Sequence, residues 1–148
     1  MIVTLIRPPR LFSRTALTAN VPVPPLGLAY LAGALQADGF ETVAIDACGE
    51  APDECRPLDA LPFVVNGLDA EEIAARVPPE SLFVGVSCMF SCEWIVQRQV
   101  IEAVRRRLPN VPIIAGGEHV SADPVAVLQS CPALTACGLG EGDETIVA

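Results

Sequence analysis

The side chains able to do chemistry in this sequence are few and scattered. His119 is the sole histidine. Following a Gly-Gly pair, it reads as a hydrogen-bonding loop residue near a helix start rather than a metal ligand. Cys88-x-x-x-Cys92 opens with the spacing of an iron–sulfur site, but the third thiolate position holds Ile95, which cannot bind iron, so both cysteines read as small packing residues. Cys48 and Cys55 lie in a neighbourhood with too few further ligands for zinc. Cys131 and Cys137 read as helix-end and strand residues. Glu118, Glu141 and Glu144 could serve as acids or bases, yet in loops of an acidic chain they read as solvated, cap-forming or amide-binding groups. Gly138-x-Gly140-x-Gly142 resembles a dinucleotide fingerprint only superficially, because it follows the last predicted strand and has the wrong spacing. No catalytic constellation emerges. What remains is a set of small-residue loops, which let backbone approach a large flat or phosphate-bearing ligand.

Those loops must be held by something, and the chain alternates short apolar runs with amphipathic segments, the pattern of βαβ units. Strands are predicted at 2–6, 42–45, 82–87, 112–115 and 134–139. The third is continuously apolar and belongs at the centre. Helices are predicted at 26–37, stopped by Asp38-Gly39; from Asp69 as cap through Arg76, with Glu71 and Glu72 in the first turn; at 92–108; and from Asp123 through Ser130, with Pro124 at the favoured first position. Residues 7–25 read as a Pro-rich loop leading to a buried helix, and 47–67 as an extended connection. Residues 143–148 read as the first turn of another helix, so the chain is expected to be a single domain, 1–148, excised from a longer polypeptide. The fold class is α/β: a doubly wound, Rossmann-like or flavodoxin-like, five-stranded parallel sheet of order 2-1-3-4-5.

Composition narrows the functional classes. The 148 residues suffice for one core, and 51% are hydrophobic, dominated by the aliphatic side chains that pack helices on a buried parallel sheet. Net charge is −9, and all nine basic residues are arginines. Without a basic stripe, nucleic acid and anionic membranes are not expected partners; Arg105-Arg106-Arg107 reads as a helix C-terminal cluster that complements the dipole. Prolines 22, 24 and 25 break the long uncharged stretch before it could span a bilayer. No signal peptide is visible, and six cysteines without secretory context point to a reducing cytoplasm.

In an open α/β sheet, ligands bind beyond the carboxyl ends of the strands where strand order reverses. The loops there contain Ser87-Cys88-Met89 and, 26 residues (90–115) later, Gly116-Gly117. Together they resemble the S-x-L and G-G elements of cobalamin-binding domains, with Met89 for Leu and with Gly27 at the last glycine of D-x-H-x-x-G. The Asp and His positions of that motif hold Pro22 and Pro24. Pro25-Leu26-Gly27-Leu28-Ala29-Tyr30-Leu31-Ala32, Gly116-Gly117-Glu118-His119 and Gly140-Glu141-Gly142-Asp143-Glu144-Thr145 are similar to segments of the cobalamin domains fused to radical S-adenosylmethionine (SAM) barrels. The resemblance covers 24–144. It implies a cofactor-binding set of Pro24, Pro25, Leu26, Gly27, Ser87, Cys88, Met89, Gly116, Gly117, Glu118, His119, Gly140, Glu141 and Gly142. Ser87 would hydrogen-bond a buried nucleotide tail, the paired glycines would leave room for it, and Pro24, Pro25 and Leu26 would form a dry surface under the corrin.

The resemblance further implies cobalamin held base-off with no histidine on cobalt. No metal ligand comes from this chain, and no catalytic residue. The partner would be a C-terminal radical SAM domain carrying the 4Fe-4S cluster and S-adenosylmethionine, so the parent, not this chain alone, would be the enzyme, a methyltransferase or a relative. A phospho-receiver reading fails for want of a lysine, an acidic cluster after strand 1 and an Asp ending strand 3. A flavodoxin-like flavin or nucleotide module would need a Ser/Thr/Gly-rich loop where Arg7-Pro8-Pro9 stands. A cofactor-free interaction domain of a radical SAM protein is the remaining alternative.

Overall fold

The computed structural model describes residues 1–13, 15, 23–58 and 61–147. In chain order the elements begin with β1 (Ile2–Arg7), β2 (Arg10–Ser13), α1 (Leu26–Ala37), β3 (Glu41–Asp46), α2 (Ala47–Glu50), β4 (Cys55–Pro57), β5 (Phe63–Asn66) and α3 (Ala70–Arg76). They continue with β6 (Ser81–Ser87), a 3-10 turn over Ser91–Glu93, α4 (Trp94–Arg107), β7 (Ile113–Gly116), α5 (Glu118–Ala122), α6 (Pro124–Ser130), β8 (Ala136–Gly138) and α7 (Gly142–Thr145).

Five strands form a parallel sheet in the order β3-β1-β6-β7-β8. Counted among themselves, they run 2-1-3-4-5, as the apolar pattern predicts. The central position of β6 explains its composition: Val84 and Val86 are buried on one face and Phe83 packs against the core on the other, as a strand covered on both faces requires. On one face, Val100, Ile101 and Val104 of α4 and Ile73 of α3 pack with Val84, Val86, Ile113 and Ala115. On the other, Leu28 and Leu35 of α1 cover Val3 and Leu5, with Phe83 and Ile146 at the margin.

Caps close the helices where the sequence places them. Asp69 accepts from Glu72 N at 2.8 Å while the Glu72 carboxylate accepts from Asp69 N at 2.8 Å, a complete capping box. Asp123 accepts from Ala126 N at 3.0 Å, ahead of Pro124.

Three features depart from the sequence reading. The segments read as a Pro-rich loop and an extended connection contain the short helix α2 and the strands β2, β4 and β5, which pair antiparallel as β2-β5-β4. These strands are three or four residues long and acquire their partners from distant chain, so local periodicity cannot reveal them. Asn66 fixes the sheet by donating to Pro52 O at 2.8 Å and Glu54 O at 3.0 Å. Second, residues 118–122, read as loop, form α5. Third, α1 is not buried as expected: its Leu28 and Leu35 face the sheet, while Leu26 and Tyr30 are 65% and 71% exposed on its outer side.

Candidate functional site

In-register parallel strands direct paired residues to the same face. Ser87 pairs with Gly116, and Gly116 with Gly138. Their neighbours Val86, Ala115 and Cys137 pack in the α3/α4 core, so the row Ser87–Gly116–Gly138 faces the opposite way, toward the side that carries α1. One step below lie Gly85, Ile114 and Ala136. Among the described residues, a Cβ added at Gly116 would meet only Gly138 O, at 3.8 Å, and one at Gly138 only Ala115 O and Ile114 Cγ2, both at 3.9 Å. In this terminal row, at the carboxyl end of three adjacent strands, no side chain is larger than a hydroxymethyl group. The half-buried Ser87 hydroxyl makes no hydrogen bond among the described residues, which leaves it available. Gly138 is absent from the sequence-derived set; only strand register puts it in this row.

A second group forms the ridge beside the strip. Cys88 N donates to Gly116 O at 2.7 Å, and His119 N to Cys88 O at 3.2 Å, joining the loops after β6 and β7. Gly117 has a φ of +117°, and a Cβ there would lie 2.7 Å from Cys88 O. Backbone contact therefore demands this glycine whatever the ligand, whereas Gly116 is bounded by open space. Cys88 is fully buried and burial pushes its thiol pKa far up; its side chain points into the core, leaving only backbone for the site. Met89 and Phe90 are exposed at the rim. Glu118 is exposed in the first turn of α5.

His119 is occupied. Its Nδ1 lies 2.9 Å from Ser91 Oγ, its ring packs at 4.8 Å on Trp94, and its Nε2 is shut off from solvent without a hydrogen-bond partner. Burial, which disfavours the charged imidazolium, lowers its pKa. Neither nitrogen is presented to a metal from outside. Among the described residues no group of three or more His, Cys, Asp or Glu could hold a metal ion, and no helix is long and apolar enough to cross a membrane.

The α1 side is set by Arg7. From the end of β1, its Nη1 donates to Val23 O at 2.7 Å and pairs with Asp46 at 3.3 Å, which ties the chain entering Pro24 and Pro25 to the ends of β1 and β3. Leu26 and Gly27 then open α1, both exposed. Pro22 lies outside the described residues. Gly140, at φ +78°, and Glu141 lead into α7, whose Gly142 is so close to α1 that a Cβ would lie 3.0 Å from Leu31 Cδ2. The predicted residues thus gather at the carboxyl end of the sheet in three groups: strip, ridge and α1/α7 margin.

Residues 15–148 match the family described as the B12 binding domain. The chain belongs to this family. It is also 28% identical over 127 residues to cytidylyl-2-hydroxyethylphosphonate methyltransferase of Streptomyces wedmorensis, a match covering 83% of this chain and 23% of that protein. An uncharacterized methyltransferase of Pyrococcus horikoshii is 26% identical over 122 residues, 82% of this chain and 23% of the relative. The chain therefore spans about a quarter of the length of the curated relatives it matches. The residues present are compatible with such a group: the row Ser87–Gly116–Gly138 is bordered by open space, and Ser87 carries an unbonded hydroxyl beside it.

Proposed function

We propose that this domain holds cobalamin base-off, with no protein imidazole on cobalt, as the cofactor-carrying module of a radical SAM methyltransferase. The observation that carries this reading is the row Ser87–Gly116–Gly138, an open-faced strip ending at an available hydroxyl. Ser87 and the two strand glycines would hold the nucleotide tail. The exposed apolar residues Leu26, Met89 and Phe90, with Pro24 and Pro25, would exclude water beneath the corrin. Glu118, Glu141 and the backbone of Cys88, Gly117, Gly140 and Gly142 are within the same end of the sheet for amide contacts. The engagement of His119 by Ser91 and Trp94 supports a cobalt without histidine. When bound, methylcobalamin would supply the methyl group, and the absence of an axial imidazole is a main lever on its reactivity. The printed functions of the two relatives support methyl transfer; the 4Fe-4S cluster and S-adenosylmethionine would belong to a partner domain.

Reconstitution tests this. After incubation with hydroxocobalamin and desalting, the protein is expected to keep the red cofactor, and the reduced Co(II) form to show a base-off electron paramagnetic spectrum without nitrogen coupling from histidine. Gly116→Val, whose Cβ has room, should retain at least tenfold less cofactor in its folded fraction, because the valine fills the strip. Retention of flavin mononucleotide instead, a histidine-coupled cobalt signal, or no uptake of either would overturn the reading.

A further inference from the structure

Strand order reverses between β1 and β6, and a crevice of about 110 Å³ opens at their carboxyl ends. Its polar lining is Arg7, Arg10, Ser87, Glu93 and Gln97, with Met89 and Phe90 at the mouth. Two of these groups are already committed: Arg7 to Asp46 and Val23 O, and Glu93 to Leu11 N at 3.3 Å. Two are not. Arg10 makes no side-chain hydrogen bond or ion pair among the described residues. Gln97 is 2% exposed, yet its Oε1 has no partner. A buried amide oxygen left unpaired costs about 1–3 kcal/mol, so the fold carries a polar group that something else must satisfy.

The two unmet demands are opposite in sign. Arg10 needs an acceptor, and Gln97 Oε1 needs a donor. An anion would answer Arg10 but face Gln97 Oε1 and the Glu93 carboxylate. A cation would do the reverse. The volume corresponds to about three to four waters at ~30 Å³ each, enough for a small planar group. We propose that this crevice receives a primary carboxamide, one of the amide arms on the corrin rim, with its carbonyl toward Arg10 and its NH₂ toward Gln97 and Glu93. The inference rests on the cobalamin reading, and Ser87, which lines both the crevice and the strip, joins the two sites.

The test is equilibrium binding of hydroxocobalamin to the 148-residue chain and to Gln97→Leu and Arg10→Met, beside thermal melts without ligand. Gln97→Leu is expected to weaken binding about tenfold while its ligand-free melting temperature stays level or rises, because the unpaired oxygen is gone. Arg10→Met should weaken binding to a similar degree and keeps the test open if Gln97→Leu fails to fold. Against corrinoids with single side-chain amides hydrolysed to acids, the parent chain should discriminate strongly against one derivative, and Gln97→Leu should lose that discrimination. Undiminished affinity in both variants, or equal binding of all the acids, overturns the crevice assignment while cobalamin binding stands. A parent chain that takes up no corrinoid removes both.

Discussion

At the scale of single residues, the two glycines of the Gly116-Gly117 pair have different reasons to exist. Gly117 answers a backbone requirement, a positive φ and a carbonyl at close range. Gly116 has neither constraint and sits in an open strip. His119 is likewise explained by its neighbours, and it yields a pH prediction. Its folded pKa lies below the ordinary value of 6.5, so the unfolded chain binds the proton more readily. The stability that comes from keeping the ring neutral is therefore present above that value and is lost as pH falls through the folded pKa. It is the only histidine, so a comparison with His119→Gln isolates it. The melting temperature of the parent relative to the variant is expected to fall between about pH 7.5 and about pH 5; parallel curves would contradict the assignment.

At the scale of elements, the arginine cluster closing α4 is a structural clamp. Arg105 donates to Ala133 O at 3.0 and 2.9 Å, to Pro109 O at 2.8 Å and to Val111 O at 2.8 Å. It thereby fixes the chain entering β7 and β8 to the helix that precedes them. Arg107 donates to Ala74 O and Val77 O at the end of α3, and Arg106 pairs with Glu71. The helix-end reading of the cluster is met, with the addition that two of the three serve carbonyls of neighbouring segments. Charge-assisted bonds of this kind contribute more than neutral ones, so Arg105→Ala is expected to cost about 2–3 kcal/mol in urea unfolding. Because the clamp sits at the opposite end of the sheet from Ser87, cofactor retention by the folded fraction should be unchanged.

At the scale of the whole molecule, the carboxyl end of the sheet and the outer side of α1 carry an apolar surface that the described residues leave exposed. Val23, Leu26, Tyr30, Phe90 and Leu139 are each about half exposed or more, in a chain whose net charge of −9 otherwise favours water. A ligand that binds the folded state alone stabilises it by mass action, about 2.7 kcal/mol at a hundredfold excess over its Kd. For a chain of this size that is a rise in melting temperature of roughly 5–10 °C. Hydroxocobalamin should produce this shift in a thermal melt, and Gly116→Val should at least halve it.

The sequence by itself determined what local chemistry dictates: the five apolar runs and their order, the caps at Asp69 and Asp123, α1 over its full length, and the strand-to-helix junctions at which the candidate residues lie. Periodicity, capping and glycine placement are properties of neighbours along the chain, so they are legible there. Only the tertiary structure decided which residues meet across strands. Gly138 joins Ser87 and Gly116 through register, β2, β4 and β5 exist through pairing with distant partners, and Cys88 turns into the core while Arg10 and Gln97 converge on one crevice. Those relations depend on contacts far apart in sequence, and no local pattern encodes them.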